Sequence, residues 1–134
     1  MNEFYQQYFC PYDEKYSVII EDNGRVSYAY LLKLKNVIGD VWLYNKKENP
    51  DKVNWKCINE MPFLNPKEYI DFEKKISPIV ESSDVHLSWK YSDDLEEVNI
   101  FIKNGLIAIL KPQSCPGWSY FVKKDGPLAK KIEL

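Results

Sequence analysis

The chain has 134 residues, 45% of them hydrophobic and 15% aromatic, a composition that builds a core, excludes a disordered chain and, at this length, predicts a single domain spanning residues 1–134. Eighteen basic residues stand against 20 acidic ones and Arg25 is the only arginine, so the net charge of −2 argues against nucleic acid as a partner. No run nears the ~18 apolar residues of a membrane span and no basic stretch leads an apolar one at the N-terminus, so a cytoplasmic protein without a membrane partner is expected.

In chain order, the first clear β pattern is a three-stranded meander from Lys15 to Asn45. Its first strand runs from Tyr16 to Glu21, and Asn23-Gly24 predicts a type I′ hairpin turn, which needs positive φ at both central residues. Val26, Tyr28, Tyr30, Leu32 and Leu34 then alternate with smaller or polar residues, placing them on one face. A turn at Lys35-Asn36 leads to the third strand, Val37 to Tyr44, with Ile38, Asp40, Trp42 and Tyr44 on one side; Asp40 is the odd member.

Residues 46–66 are less regular, with a polar loop over 46–51, a short segment from Val53 to Ile58 and prolines at 62 and 66. Asn65-Pro66 followed by Glu68 predicts a helix start, an N-cap residue and a proline at the first helical position, with the helix ending before Ser77-Pro78. Beyond it Val85, Leu87, Trp89 and Tyr91 alternate with His86, Ser88 and Lys90, and an acidic connection covers Asp93 to Glu97. Val98 to Lys103 and Leu106 to Leu110 flank a second hairpin at Asn104-Gly105; Trp118 to Val122 reads as the last full strand, and the tail after Asp125-Gly126-Pro127 as a short edge piece. The fold expected is mainly β, with α+β the second choice: antiparallel meanders forming a sandwich or a strongly curled sheet, with one short helix.

Little in this text carries catalytic chemistry. His86 is the only histidine and lies on the polar face of its strand, where a solvated or hydrogen-bonded structural role is the ordinary one. Cys10, Cys57 and Cys115 are odd in number and widely spaced, which predicts reduced thiols and neither a disulfide framework nor a zinc site. The five glycines do not approach a phosphate-cradling spacing, which excludes nucleotide binding by those routes, and with a lone histidine and no Cys/His cluster no metal or cofactor is expected. Glu21, Asp22 and Asp40 can converge where neighbouring strands meet, although acids at hairpin ends are ordinarily solvated. The stretch from Pro112 to Ser119, with two prolines and a glycine before Trp118, is a stiff loop of the kind that loses little entropy on binding.

The stretch from Val18 to Leu32, with Gly39-Asp40-Val41-Trp42-Leu43-Tyr44-Asn45 and Pro116-Gly117-Trp118-Ser119, resembles small bacterial single-domain proteins of similar length with no assigned activity. In kind the chain is also similar to the immunity proteins of bacterial polymorphic or contact-dependent toxin systems, which are small, cytoplasmic and often acidic. That resemblance implies a non-catalytic binding protein whose partner is a toxin domain. On this reading Asp93, Asp94, Glu96 and Glu97 would steer a basic partner, and Trp118 and Tyr120 would anchor it. Two alternatives stay open. One is a small-ligand-binding or minor enzymatic domain addressed by Glu21, Asp22, Asp40 or His86. The other is a homo-oligomeric structural module, so both monomer and homodimer are compatible with the sequence.

Overall fold

A computed structural model describes residues 3–46, 64–75 and 78–132. The expected loop over 46–51 lies outside them except for Lys46, and the Val53–Ile58 segment and Cys57 lie wholly outside. The first sheet is an antiparallel meander in the order β1 (Phe4–Phe9), β2 (Tyr16–Asp22), β3 (Val26–Lys33) and β4 (Asn36–Asn45). The second orders β5 (Val85–Tyr91), β6 (Leu95–Ile102), β7 (Gly105–Leu110), β8 (Trp118–Ser119) and β9 (Lys130–Lys131), with the last pair parallel. The chain is therefore mainly β, as its alternation predicts, and β1 is the strand that the alternation did not reveal.

Both hairpins form, each with its own turn chemistry. At the first, Gly24 has φ of 86° while Asn23 stays at negative φ, and the Asn23 side-chain oxygen accepts the backbone N–H groups of Arg25 and Val26. A side chain thus closes the turn, and the expected type I′ geometry is absent there. At the second, Lys103 and Asn104 are the two positive-φ residues, so the type I′ turn sits one position earlier than Asn104-Gly105 and Gly105 opens β7.

The expected helix after Asn65 is instead a single 3-10 turn, Lys67–Tyr69. The Asn65 backbone is already committed: its N–H donates to the Asn45 side chain and its carbonyl accepts from the Asn45 amide. At the far end Ile70 forms a β-bridge with Val122, which takes up the backbone a helix would need. A second 3-10 turn, Ser82–Asp84, leads into β5. The last expected strand is also shorter, since only Trp118 and Ser119 pair with β7.

One hydrophobic cluster joins the sheets, with Val18, Ile20, Ala29, Leu31 and Val41 from the first and Val98, Ile100, Ala108 and Leu110 from the second, all fully buried. Trp42 and Tyr44, expected on one face, stand on opposite faces: Tyr28 pairs with Trp42 and Ser27 with Tyr44, so a bulge intervenes at Leu43. The edge of β4 is not free. Its Ile38 carbonyl accepts from Gln113, Asp40 exchanges hydrogen bonds with Ser114 and Gly117, and the Trp42 N–H donates to Leu128. Through this seam the stiff loop of 112–119 is strapped to the first sheet and delivers Trp118 to the second.

Candidate functional site

On the outward face of the second sheet, Asn99, Ile109, Trp118 and Lys130 lie side by side across β6, β7, β8 and β9. Trp118 is half-buried, and the ammonium groups of Lys111 and Lys130 each stand 5.0 Å from its ring. Cation–π contacts from two lysines hold the indole in place while leaving part of it accessible. Around it Glu97, Lys111, Asp125 and Lys131 rim an open hollow of about 320 Å³ floored by Ile109 and Ile132. Asp125 also accepts the Lys131 backbone N–H at 2.8 Å, which fixes the returning tail against the sheet.

Ile132 also borders a second, more apolar hollow of about 300 Å³ lined by Leu106, Ile107 and Tyr120. Tyr120 is 41% exposed, and the Lys74 ammonium lies 3.9 Å from its ring centroid. Trp118, Tyr120 and Glu97, three of the six residues expected at a partner surface, therefore border one pair of adjoining hollows. The other three are elsewhere. Asp94 accepts the Tyr16 hydroxyl at 2.7 Å and ties the β5–β6 turn to β2. Chiefly this bond holds the Asp94 carboxyl below its usual range and pushes the Tyr16 hydroxyl up to about 12. Glu96 is the extra residue of a bulge, because Lys90 pairs with Glu97 and Tyr91 with Leu95, and Asp93 is exposed in the turn. The acidic run thus divides into one clamp, one rim residue and two exposed acids.

The alternative ligand set does not gather. Glu21 and Asp40 lie on the outer face of the first sheet with the stacked rings of Tyr28 and Tyr30 between their strands, and Glu21 accepts the Tyr30 hydroxyl at 2.8 Å. Asp22 points to the opposite face, where it is 1% exposed and bound by Tyr44, Gly24 and Lys46, so the hairpin-end solvation expected of it is absent. His86 is exposed on the other sheet, tilted against Phe101. Burial raises the Asp40 carboxyl above its ordinary value. A carboxylate whose ionisation folding disfavours weakens the fold above its folded pKa, and that penalty is relieved as pH falls through it. Asp40→Asn is therefore expected to raise the free energy of unfolding from urea titration at pH 7 by roughly 0.5 kcal/mol, with the gain shrinking as the solution is acidified. A gain of equal size at all pH values would remove Asp40 ionisation as the cause.

Lys111, Lys130 and Ile132 were not foreseen as site residues. Their signal is weak in the sequence, since the tail reads only as an edge piece and its parallel partner is set by the turn at Asp125-Gly126. Among the described residues no group of three or more His, Cys, Asp or Glu side chains is placed to hold a metal ion, and no helix is long and apolar enough to cross a membrane. No family model matches the chain, and no curated protein and no solved structure matches it.

Proposed function

We propose that this chain is a non-catalytic protein-binding domain, and in its specific form an immunity protein that neutralises a cognate bacterial toxin. The observation that carries the binding reading is Trp118, a part-exposed indole held between two lysines, with apolar floor residues beside it and acids and lysines of both signs around it. A pre-positioned aromatic costs little entropy to dock and is the type of residue that dominates interface energy. The mixed rim of Glu97, Lys111, Asp125 and Lys131 supplies orientation more than bulk attraction. This departs from a purely acidic docking patch: salt should alter binding only modestly, because charges of both signs face the partner. The toxin-specific form rests on the resemblance in kind described above.

The test is co-expression with the C-terminal domain encoded beside this gene, followed by affinity measurement of the purified pair. Trp118→Ala should weaken the complex by about tenfold or more, and Lys111→Glu, an exposed change that spares the core, should weaken it with no loss of melting temperature. Leu34→Ala, at an exposed residue of the β3–β4 turn, should leave affinity unchanged. A complex indifferent to both Trp118→Ala and Lys111→Glu would place the interface elsewhere. No complex, and no relief of toxicity by the wild-type chain, would refute the immunity reading.

A further inference from the structure

We infer that the outer edge of β1 pairs with the same edge of a second copy of this chain, giving a two-fold dimer centred on Gln7. Among the described residues β1 pairs with β2 alone, so one side of its backbone has no strand partner. Unpaired edges are usually blunted by lysine, proline or a bulge. The strand Phe4-Tyr5-Gln6-Gln7-Tyr8-Phe9 contains no charge and no proline, and its register with β2 runs without a shift. One edge strand of the other sheet, β5, instead carries His86 and Lys90, both exposed, and its opposite edge, β9, is Lys130–Lys131.

The occupant follows from the order of residues in β1. Phe4 and Tyr8 pack against the core, so Tyr5, Gln7 and Phe9 face outward, with Tyr5 66% and Phe9 57% exposed. A two-fold axis perpendicular to a sheet reverses strand direction and keeps each side chain on its own face. Antiparallel self-pairing must then be centred on a residue, because opposite residues share a face. Centring on Gln6 sets Tyr5 against Gln7 and leaves Phe9 without a partner. Centring on Gln7 sets Tyr5 of each copy against Phe9 of the other and Gln7 against its own copy. Both exposed aromatics are then covered by cross-strand pairs, the unit that stabilises sheets. The shared strand is six residues long, so the interface is small and the association correspondingly weak, with a dissociation constant on the order of 10–100 μM. Residues of β1 line neither hollow near Trp118, and the dimer stands or falls apart from the binding reading above.

Sedimentation velocity of the full chain from about 5 μM to 1 mM reads the association directly. The expected result is a monomer–dimer equilibrium that Gln7→Lys and Gln7→Glu each weaken about fivefold or more, since like charges then face each other across the axis. An equimolar mixture of those two variants should dimerise again, because the charges become complementary in this register alone. Phe9→Lys, at an exposed position, should also weaken the dimer while leaving the circular dichroism of the monomer unchanged. A wild-type chain that remains monomeric to 1 mM, a dimer that none of the three substitutions weakens, or a mixture that fails to recover would each overturn the proposal.

Discussion

Asp22→Ala is expected to lower the free energy of unfolding by about 3 kcal/mol, as read by urea titration at neutral pH. The carboxylate is 1% exposed and is the common acceptor of a buried set of donors. Its Oδ1 accepts the Gly24 N–H at 2.9 Å, and its Oδ2 accepts the Tyr44 hydroxyl at 2.8 Å and lies 3.2 Å from the Lys46 ammonium. Tyr44 is itself fully buried and its oxygen accepts the Ile79 N–H at 3.1 Å, so the network reaches from the first hairpin into the segment before β5. Removing the acceptor leaves a hydroxyl and an amide stranded away from water, and each stranded group costs about 1–3 kcal/mol. Lys46 is 20% exposed and reaches solvent, which keeps the loss below that of a fully buried broken ion pair. Glu21→Ala is the matched control: Glu21 is half-buried and accepts one side-chain hydrogen bond, from Tyr30, so the loss should stay near 1 kcal/mol. Equal losses at the two positions would mean that burial at Asp22 does not set the magnitude.

Gly117→Ala is expected to have an effect of similar size, about 3 kcal/mol, through overpacking rather than lost polar partners. A Cβ at this position would stand 2.5 Å from the Ile109 carbonyl oxygen and 2.9 Å from the Leu110 Cδ2. The first of these is backbone of β7, held between β6 and β8, and has nowhere to move. The residue cannot move either without loss, since its N–H donates to Asp40 and its carbonyl accepts from Lys130. Retreat of residue 117 would break the seam to β4 and shift Trp118, the next residue, out from between its two lysines. Gly105→Ala provides the comparison, because the nearest atom to its added Cβ is 3.7 Å away and φ is not positive there; a change within about 0.5 kcal/mol is expected. If both alanines are tolerated alike by urea titration, the close approach at Gly117 is not a constraint on the fold.

The alternation of β5 is read directly because period-two patterning is a local property that a half-buried strand expresses, whereas β3, buried on both faces, is marked by its run of apolar and aromatic residues. What escaped detection was set at long range. β1 has no alternation of polar and apolar residues, and becomes a strand because β2 offers it an edge. Asn65-Pro66 has the chemistry of a helix start, yet Asn45, 20 positions earlier, claims both the N–H and the carbonyl of Asn65. Asp22 looked like a solvated hairpin acid because its partner Tyr44 stands two strands away in the sheet. The surface around Trp118 was half visible: the stiff loop and its aromatic stand out in the text, whereas Lys130 and Ile132 arrive only through a parallel pairing after a turn. The acidic run shows the converse limit, since four neighbouring acids were assigned one role and the fold divides them among three settings.

The seam along β4 bears on how the molecule is made in time. During synthesis the first meander is complete once residue 45 has left the ribosome, but the carbonyls and N–H groups of Ile38, Asp40 and Trp42 wait for Gln113, Gly117 and Leu128. For some 70 to 85 residues of elongation, at ~5–20 residues per second, the nascent chain carries an open and largely apolar sheet edge. The interval in which a neighbouring nascent chain can take that edge is thus several seconds, and it closes only when the distal tail is delivered.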